Sequence, residues 1–344
     1  MKRRMFLTAA LALGVAGCAP AATGGGDSAS PAASGSGSAA PASGTRAVIG
    51  LSYIPNVQFA PFYVAQAQSL FSGVDATVSL RHHGANEGLF NALTSGAEDF
   101  LVAAGSEAMQ ARAQGVDVVA VGAYYKTYPI TVIVLGSSPI QQLSDLKGRK
   151  LGVPGKYGES WLAAQVALAS AGLSENDVKI VEVGYTQVAA LSSKKVDAVI
   201  GFRTNELVQL QAAGVAPRAI SVASGTVPLV STSLLTSAAY AKKHPEVVRQ
   251  VVAGVTKAIE ATAADQSAAI DISAKQIPGW TEAARPNAEA VLAATVDVMA
   301  LQNGKFLPAL DPAQWEAMSK FLESSKLIAK PVAAKDAFTI EYTG

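Results

Sequence analysis

The chain has 344 residues, with 27 lysines and arginines against 26 aspartates and glutamates, and half of it is hydrophobic. A net charge of +1 offers no field for nucleic acid or for an anionic membrane surface. A single cysteine, Cys18, leaves no disulfide framework and no thiolate metal cluster within the chain.

In chain order, Lys2, Arg3 and Arg4 precede an apolar run from Met5 to Ala16, which ends in Leu13-Gly14-Val15-Ala16-Gly17-Cys18. This order predicts a secretory signal peptide over residues 1–18. The apolar run falls short of the roughly 20 residues that span a bilayer. Small residues directly before a cysteine resemble the lipobox of bacterial lipoproteins. That resemblance implies cleavage before Cys18, acylation there (palmitate among the chains), and an extracytoplasmic protein anchored to the cell membrane. Residues 19–45 are Ala, Gly, Ser and Pro apart from Thr23, Thr45 and Asp27, the only charge before Arg46. Such a segment buries too little to offset its ordering entropy; it is expected to be a flexible linker spanning about 30 Å.

About 300 residues remain, which points to two lobes. Strands are expected at Val48–Tyr53, Ala76–Leu80, Asp99–Ala103 and Val116–Val121, with helices at Phe62–Leu70, Glu87–Thr94 and Glu107–Gln114. After Ile130–Leu135 a second set follows. Its strands are Lys150–Val153, Val178–Val183, Val196–Gly201 and Ala219–Val222; its helices are Glu159–Ala171, Gln187–Ser193 and Asn205–Ala213. The remainder reads as helices at Pro245–Asp265, Asn287–Gln302 and Gln314–Ser324. Alternating strand and helix predicts an α/β fold with mainly parallel sheets. Residues 46–128 and 230–344 form the first expected lobe and 129–229 the second, joined by a two-segment hinge near 124–135 and 224–235. Ligands in such sheets bind at the carboxyl ends of strands.

The loops at those ends carry Glu87, Glu107, Glu159 and Glu206, the amides Asn56, Gln58, Gln187 and Asn205, and aromatic residues including Tyr124, Tyr157 and Trp161. Rings offer stacking area and carboxylates accept charge-assisted hydrogen bonds, which suits a flat nitrogen heterocycle. All four glutamates also fall at first helical turns, where the helix dipole alone favours a carboxylate. Ser160, with Ser106, Arg81 and Arg203, suits an anion instead. Adjacent His82 and His83, with His244 distant, make a poor metal site. No cofactor is expected, and no catalytic triad, phosphate loop or paired-acid motif stands out.

Tyr53-Ile54-Pro55-Asn56-Val57-Gln58-Phe59-Ala60-Pro61, Asp145-Leu146-Lys147-Gly148 and Gly152-Val153-Pro154-Gly155-Lys156-Tyr157-Gly158-Glu159-Ser160 resemble the solute-binding proteins of ABC importers. The likeness is to the thiamine-pyrimidine, nitrate and sulfonate branch. Gly184-Tyr185-Thr186-Gln187 and Val196-Asp197-Ala198-Val199 with Asn205-Glu206 extend it. The resemblance implies the periplasmic-binding-protein type 2 fold and no enzymatic activity. It also implies a monomer that hands a small solute to a membrane permease and its ATPase. Ligand-binding roles would fall to Asn56, Gln58, Glu87, Glu107, Tyr124, Tyr157, Glu159, Ser160, Trp161, Gln187, Asn205 and Glu206. The solute stays open between a thiamine-pyrimidine-like or flavin-like ring and a sulfonate, nitrate or taurine-type anion. A pyrimidine-synthase-like enzyme is the third reading. Against it, that branch uses a cysteine-rich motif and a histidine, and Phe59 and Ala60 stand where thiamine-type relatives tend to have a histidine.

Overall fold

A computed structural model describes residues 46–71, 77–84, 87–222 and 227–343. Cys18, the signal peptide, the linker and Ala76 lie outside the described residues. Among the described residues no helix is long and apolar enough to cross a membrane.

The first half-chain alternates as β1 (Ala47–Leu51), α1 (Ala60–Ala67), β2 (Val78–His82), α2 (Asn91–Ser95), β3 (Phe100–Ala104), α3 (Gly105–Ala113) and β4 (Val119–Ala123). Then come β5 (Ile130–Leu135), β6 (Lys150–Val153), α4 (Gly158–Ser170), β7 (Lys179–Glu182), α5 (Gln187–Ser192), β8 (Ala198–Phe202), α6 (Glu206–Ala212) and β9 (Pro217–Ser221). β10 (Thr232–Thr236) precedes α7 (Ala238–Lys243), α8 (Pro245–Ala264), α9 (Gln266–Ala274), α10 (Arg285–Met299) and α11 (Pro312–Ser324).

Two five-stranded sheets result, ordered β2-β1-β3-β10-β4 and β7-β6-β8-β5-β9. Within each, the first three strands are parallel, as expected. The strand that arrives through the hinge runs antiparallel between two neighbours: β10 between β3 and β4, β5 between β8 and β9. The sheets are therefore mixed. β10 went unread because Thr-Ser-Leu-Leu-Thr is five residues long and lacks alternation, its last four residues being buried. Residues 87–90, expected to open a helix, form a turn instead, held by the ion pair of Glu87 with Arg81 at 2.6 Å.

The two lobes use the same devices. Asp99 Oδ2, ahead of β3, accepts the Val48 N–H at 2.8 Å, and Asp197 Oδ2, ahead of β8, accepts the Lys150 N–H at 2.8 Å. Each carboxylate ties the start of its lobe's first parallel strand to the strand beside it. α8 buries Val248, Val251, Val252, Val255, Ala258 and Ile259 at helical spacing, and packs on α1. Pro245 fits its first turn, where no N–H is needed.

α3 begins directly at the end of β3, and its first residue, Gly105, is wedged. A Cβ there would stand 2.5 Å from Val230 Cγ1 and 2.9 Å from the Trp315 ring. Trp315 is fully buried and cannot yield. Gly105→Ala is therefore expected to destabilise the fold by about 1–3 kcal/mol through overpacking, read as a lowered urea midpoint, whereas Gly96→Ala has open space and strains only its left-handed backbone.

Candidate functional site

Between the lobes lies a cavity of about 470 Å³, within the range of small-molecule pockets. Ten of the twelve expected site residues line it: Gln58, Glu87, Glu107, Tyr124, Tyr157, Glu159, Ser160, Gln187, Asn205 and Glu206. Two do not. Asn56 turns its side chain back to accept the Gln58 N–H at 3.0 Å, and it faces a separate small pocket beside Trp280. It shapes the turn that presents Gln58. Trp161 sits under the Lys156 ammonium, 5.1 Å from its ring centroid, and does not line the cavity.

Ring side chains account for much of the wall. Tyr53 from the first lobe meets Tyr185 from the second edge-to-face at 4.8 Å. Tyr124 and Tyr125, on the hinge, lie 4.7 Å apart, and the Tyr124 hydroxyl donates to Gln58 O at 2.8 Å. Tyr157 is 47 % exposed and stands at the rim. Tyr185 was legible in Gly184-Tyr185-Thr186-Gln187 yet was not assigned to the site. His83 was considered only as a metal ligand, and Thr232 lies on the unread strand β10; both line the cavity.

The capping alternative for the glutamates is half right. Glu107 Oε2 accepts the Ala104 N–H at 3.0 Å, and Glu206 Oε2 accepts the Phe202 N–H at 2.7 Å. Each stitches its helix start to the strand before it. Glu206 also accepts from Asn205 Nδ2 at 3.0 Å. Glu159 makes no such cap. Its carboxyl takes the Ser106 hydroxyl of the other lobe at 2.7 Å and the Tyr128 hydroxyl of the hinge.

Burial raises all three of these carboxyls above the usual range. For Glu107 it is the main cause and pushes the group up to about 7, against the Ala104 N–H, which lowers it. Glu159 is raised by burial first and by the Glu107 charge second. The pair titrates as a unit. Burial also raises the Tyr53 phenol, so the rings stay neutral donors. No lysine or arginine lines the cavity among the described residues.

His83, Glu87 and Glu98 bring one ligand atom each within 4.8 Å of one another. Arg81 already occupies this cluster, its guanidinium 2.6 Å from both Glu87 and Glu98. The cationic charge is thus supplied by a side chain, and the group is a poor place for a metal ion.

Two lobes, a hinge and a polar-aromatic cavity between the lobes define the class of two-lobed periplasmic binding proteins. Residues 56–269 match the NMT1/THI5-like family, and the chain belongs to that family. It is 32 % identical over 303 residues to the riboflavin-binding protein RibY of Chloroflexus aurantiacus, covering 86 % of each chain. It is 26 % identical over 167 residues to a 4-amino-5-hydroxymethyl-2-methylpyrimidine phosphate synthase of Legionella pneumophila, covering 48 % of this chain and 52 % of that one. Among solved structures, the alkanesulfonate-binding protein SsuA of Xanthomonas axonopodis pv. citri, bound to MOPS, shares the fold. Its TM-score is 0.66 at 21 % identity, over 88 % of this chain and all of that one.

The Arg81 network has an order of importance. Glu98 is fully buried, whereas the Glu87 side chain is 24 % exposed. Arg81→Ala, which leaves the buried Glu98 carboxylate with His83 as its remaining side-chain partner, should cost about 1–3 kcal/mol, less than a fully buried pair because Arg81 is itself partly exposed. Glu87→Ala should cost under about 1 kcal/mol. Urea denaturation of the two variants side by side checks the ranking.

Proposed function

We propose that this chain is the solute-binding lipoprotein of an ABC importer and carries a neutral flavin-type heterocycle in the interlobe cavity. The observation that carries the reading is the cavity's make-up: tyrosine rings from both lobes and the hinge, buried carboxyls and amides, and no lysine or arginine among the described lining residues. Likeness to RibY over most of both chains supports the choice of ring.

The chemistry matches at each part of such a ligand. A fused flat ring stacks on Tyr53 and Tyr185. Ring carbonyls and N–H groups meet Gln58, Gln187 and Asn205, and side-chain hydroxyls can donate to Glu206. A sulfonate or nitrate would bring negative charge beside four glutamates with no basic side chain but His83 to receive it. The sulfonate alternative therefore ranks second. Solute binding stabilises the closed arrangement of the lobes, and that shape is what a permease reads. Acyl chains on Cys18 would keep the domain at the membrane, because two or more chains anchor stably. Carriage without turnover fits a folded region with no cysteine nucleophile.

Titration of riboflavin fluorescence with the purified protein tests this. Quenching that saturates at one ligand per chain is expected, with unchanged riboflavin recovered on denaturation. Flavin mononucleotide, which adds a phosphate, should bind at least about tenfold more weakly. Tyr53→Ala and Tyr185→Ala should each weaken riboflavin by about 10–100-fold. Binding of taurine or an alkanesulfonate with no response to riboflavin would overturn the reading, and so would conversion of riboflavin to another compound.

A further inference from the structure

We propose that Glu107 and Glu159 form a proton-binding site joining the two lobes, so that cleft closure takes up a proton whether or not a solute is present. The proposal goes beyond the solute reading and does not depend on it.

The two carboxyls come from opposite lobes and meet at the starts of α3 and α4. Ser106, on α3, donates its hydroxyl to Glu159, on α4, at 2.7 Å. In return Glu107 reaches across to α4. A Cβ on Gly158 would stand 3.6 Å from Glu107 Oε1, and the Glu159 N–H acts on the same carboxyl. Tyr128, on the hinge, donates to Glu159. Each of these contacts joins one lobe to the other or to the hinge. Both side chains are buried, Glu107 at 7 % and Glu159 at 9 % exposure.

Among the described residues no lysine or arginine pairs with either carboxyl. α3 packs on β3, β4, β10 and α4, and α4 on β5, β6, β8 and the turn Leu143–Leu146. These elements carry only two charged residues besides the pair and Arg112. Lys150 is exposed at the start of β6. Asp145 accepts the Gln141 and Gln142 N–H groups. Arg112, in the last turn of α3, donates to Val118 O and pairs with Asp117. On α11, whose Trp315 touches Gly105, Glu316 and Lys320 pair with each other at the surface. Of the other groups on the cavity wall, Glu87 is held by Arg81, His83 by Glu98, and Glu206 by Phe202 N–H and Asn205. Two like charges buried together without a cation favour one shared proton.

The sign of the linkage follows. In an open cleft both carboxyls meet water and return toward the ordinary value of about 4.3. Closed, both are raised by burial, Glu107 to about 7. The closed form thus binds more protons. Closure is favoured at low pH, weakens as pH rises above the open-form value, and has lost this contribution once pH exceeds the closed-form one.

Spin labels on exposed Thr94 of the first lobe and exposed Lys195 of the second, introduced as Thr94→Cys and Lys195→Cys in a Cys18→Ala background, read the closure without ligand. The label separation should lengthen as pH rises from about 5 to about 8. In Glu159→Gln, whose single side-chain oxygen still accepts from Ser106 or Tyr128, only Glu107 of the pair is left to titrate, and the lengthening should shrink. Glu107→Gln should behave likewise. An infrared band of a protonated carboxyl at about pH 6 should be present in the parent chain and shrink in both variants. A separation that does not respond to pH in the parent, the same response in Glu159→Gln, or absence of the infrared band overturns the proposal. If one variant fails to fold, the other decides whether the response belongs to the pair rather than to Glu206, which burial also raises.

Discussion

The two strands that enter through the hinge are interior strands, and the geometry of the cleft depends on that. β5 is hydrogen-bonded along both edges, to β8 and β9, and β10 along both edges, to β3 and β4. Each hinge segment is therefore clamped at its far end in the middle of a sheet. The segments are also bonded to each other. Tyr124 and Tyr125 both donate their N–H groups to Thr232 O at 2.9 Å, and Ser231 Oγ donates to Thr127 O at 3.1 Å. Gly105 N–H donates to Ser231 O at 3.1 Å, so the start of α3 is fastened to the hinge as well. Lobe motion must pivot on this small set of bonds, because fraying an interior strand would orphan backbone groups on two edges at once. Tyr124, Tyr125 and Tyr128 sit on the pivot, which is why three of the cavity's lining rings come from so short a segment.

Each lobe repeats one plan. Strand order matches position for position, with β10 in one sheet where β5 stands in the other. Asp99 and Asp197 hold equivalent strand starts. Glu107 and Glu206 hold equivalent strand-to-helix corners. The plan is visible in the chain as Asp99 to Glu107 to Gly115 and, again, Asp197 to Glu206 to Gly214. α4 departs from it. Its first turn is loaded with Glu159 at a position that caps nothing in its own lobe and reaches the other one instead.

The alternation of strands and helices was legible because β1, β3, β6 and β8 are short apolar runs that lead into helices, several of them closed by glycine. The cavity wall was legible for the same reason: strand ends mark the cleft, and ten of the chosen residues line it. What stayed hidden was direction. Whether Trp161 faces the cavity or its neighbour Lys156 is decided by where α4 begins, within one residue, and sequence periodicity does not resolve that. Asn56 is similar, since an Asx side chain either reaches outward or closes its own turn. β10 was hidden because Thr-Ser-Leu-Leu-Thr is buried on both faces over its last four residues and has no alternation to read.

The glutamates show why capping and binding are not competing roles. A carboxyl has two oxygens and about four acceptor sites. In Glu107, Oε2 closes the corner between β3 and α3, and Oε1 lies against Gly158 of the other lobe. In Glu206, Oε2 takes Phe202 N–H, and Oε1 takes Asn205. Capping fixes each side chain in one rotamer, so its remaining acceptor capacity is already aimed before any partner arrives. The same fixation forces the electrostatic problem, since a pinned carboxyl cannot swing out to water when the lobes meet. Burying a charge is costly even where N–H and hydroxyl donors meet it, and beyond the donors already in place the remaining charge at this wall is relieved by a proton, a donor from the solute, or a cation. Arg81 is the cation for Glu98 and Glu87. For Glu107, Glu159 and Glu206 no arginine or lysine is within the described lining, which leaves protons and solute donors, and so selects for closed states that bring one or the other.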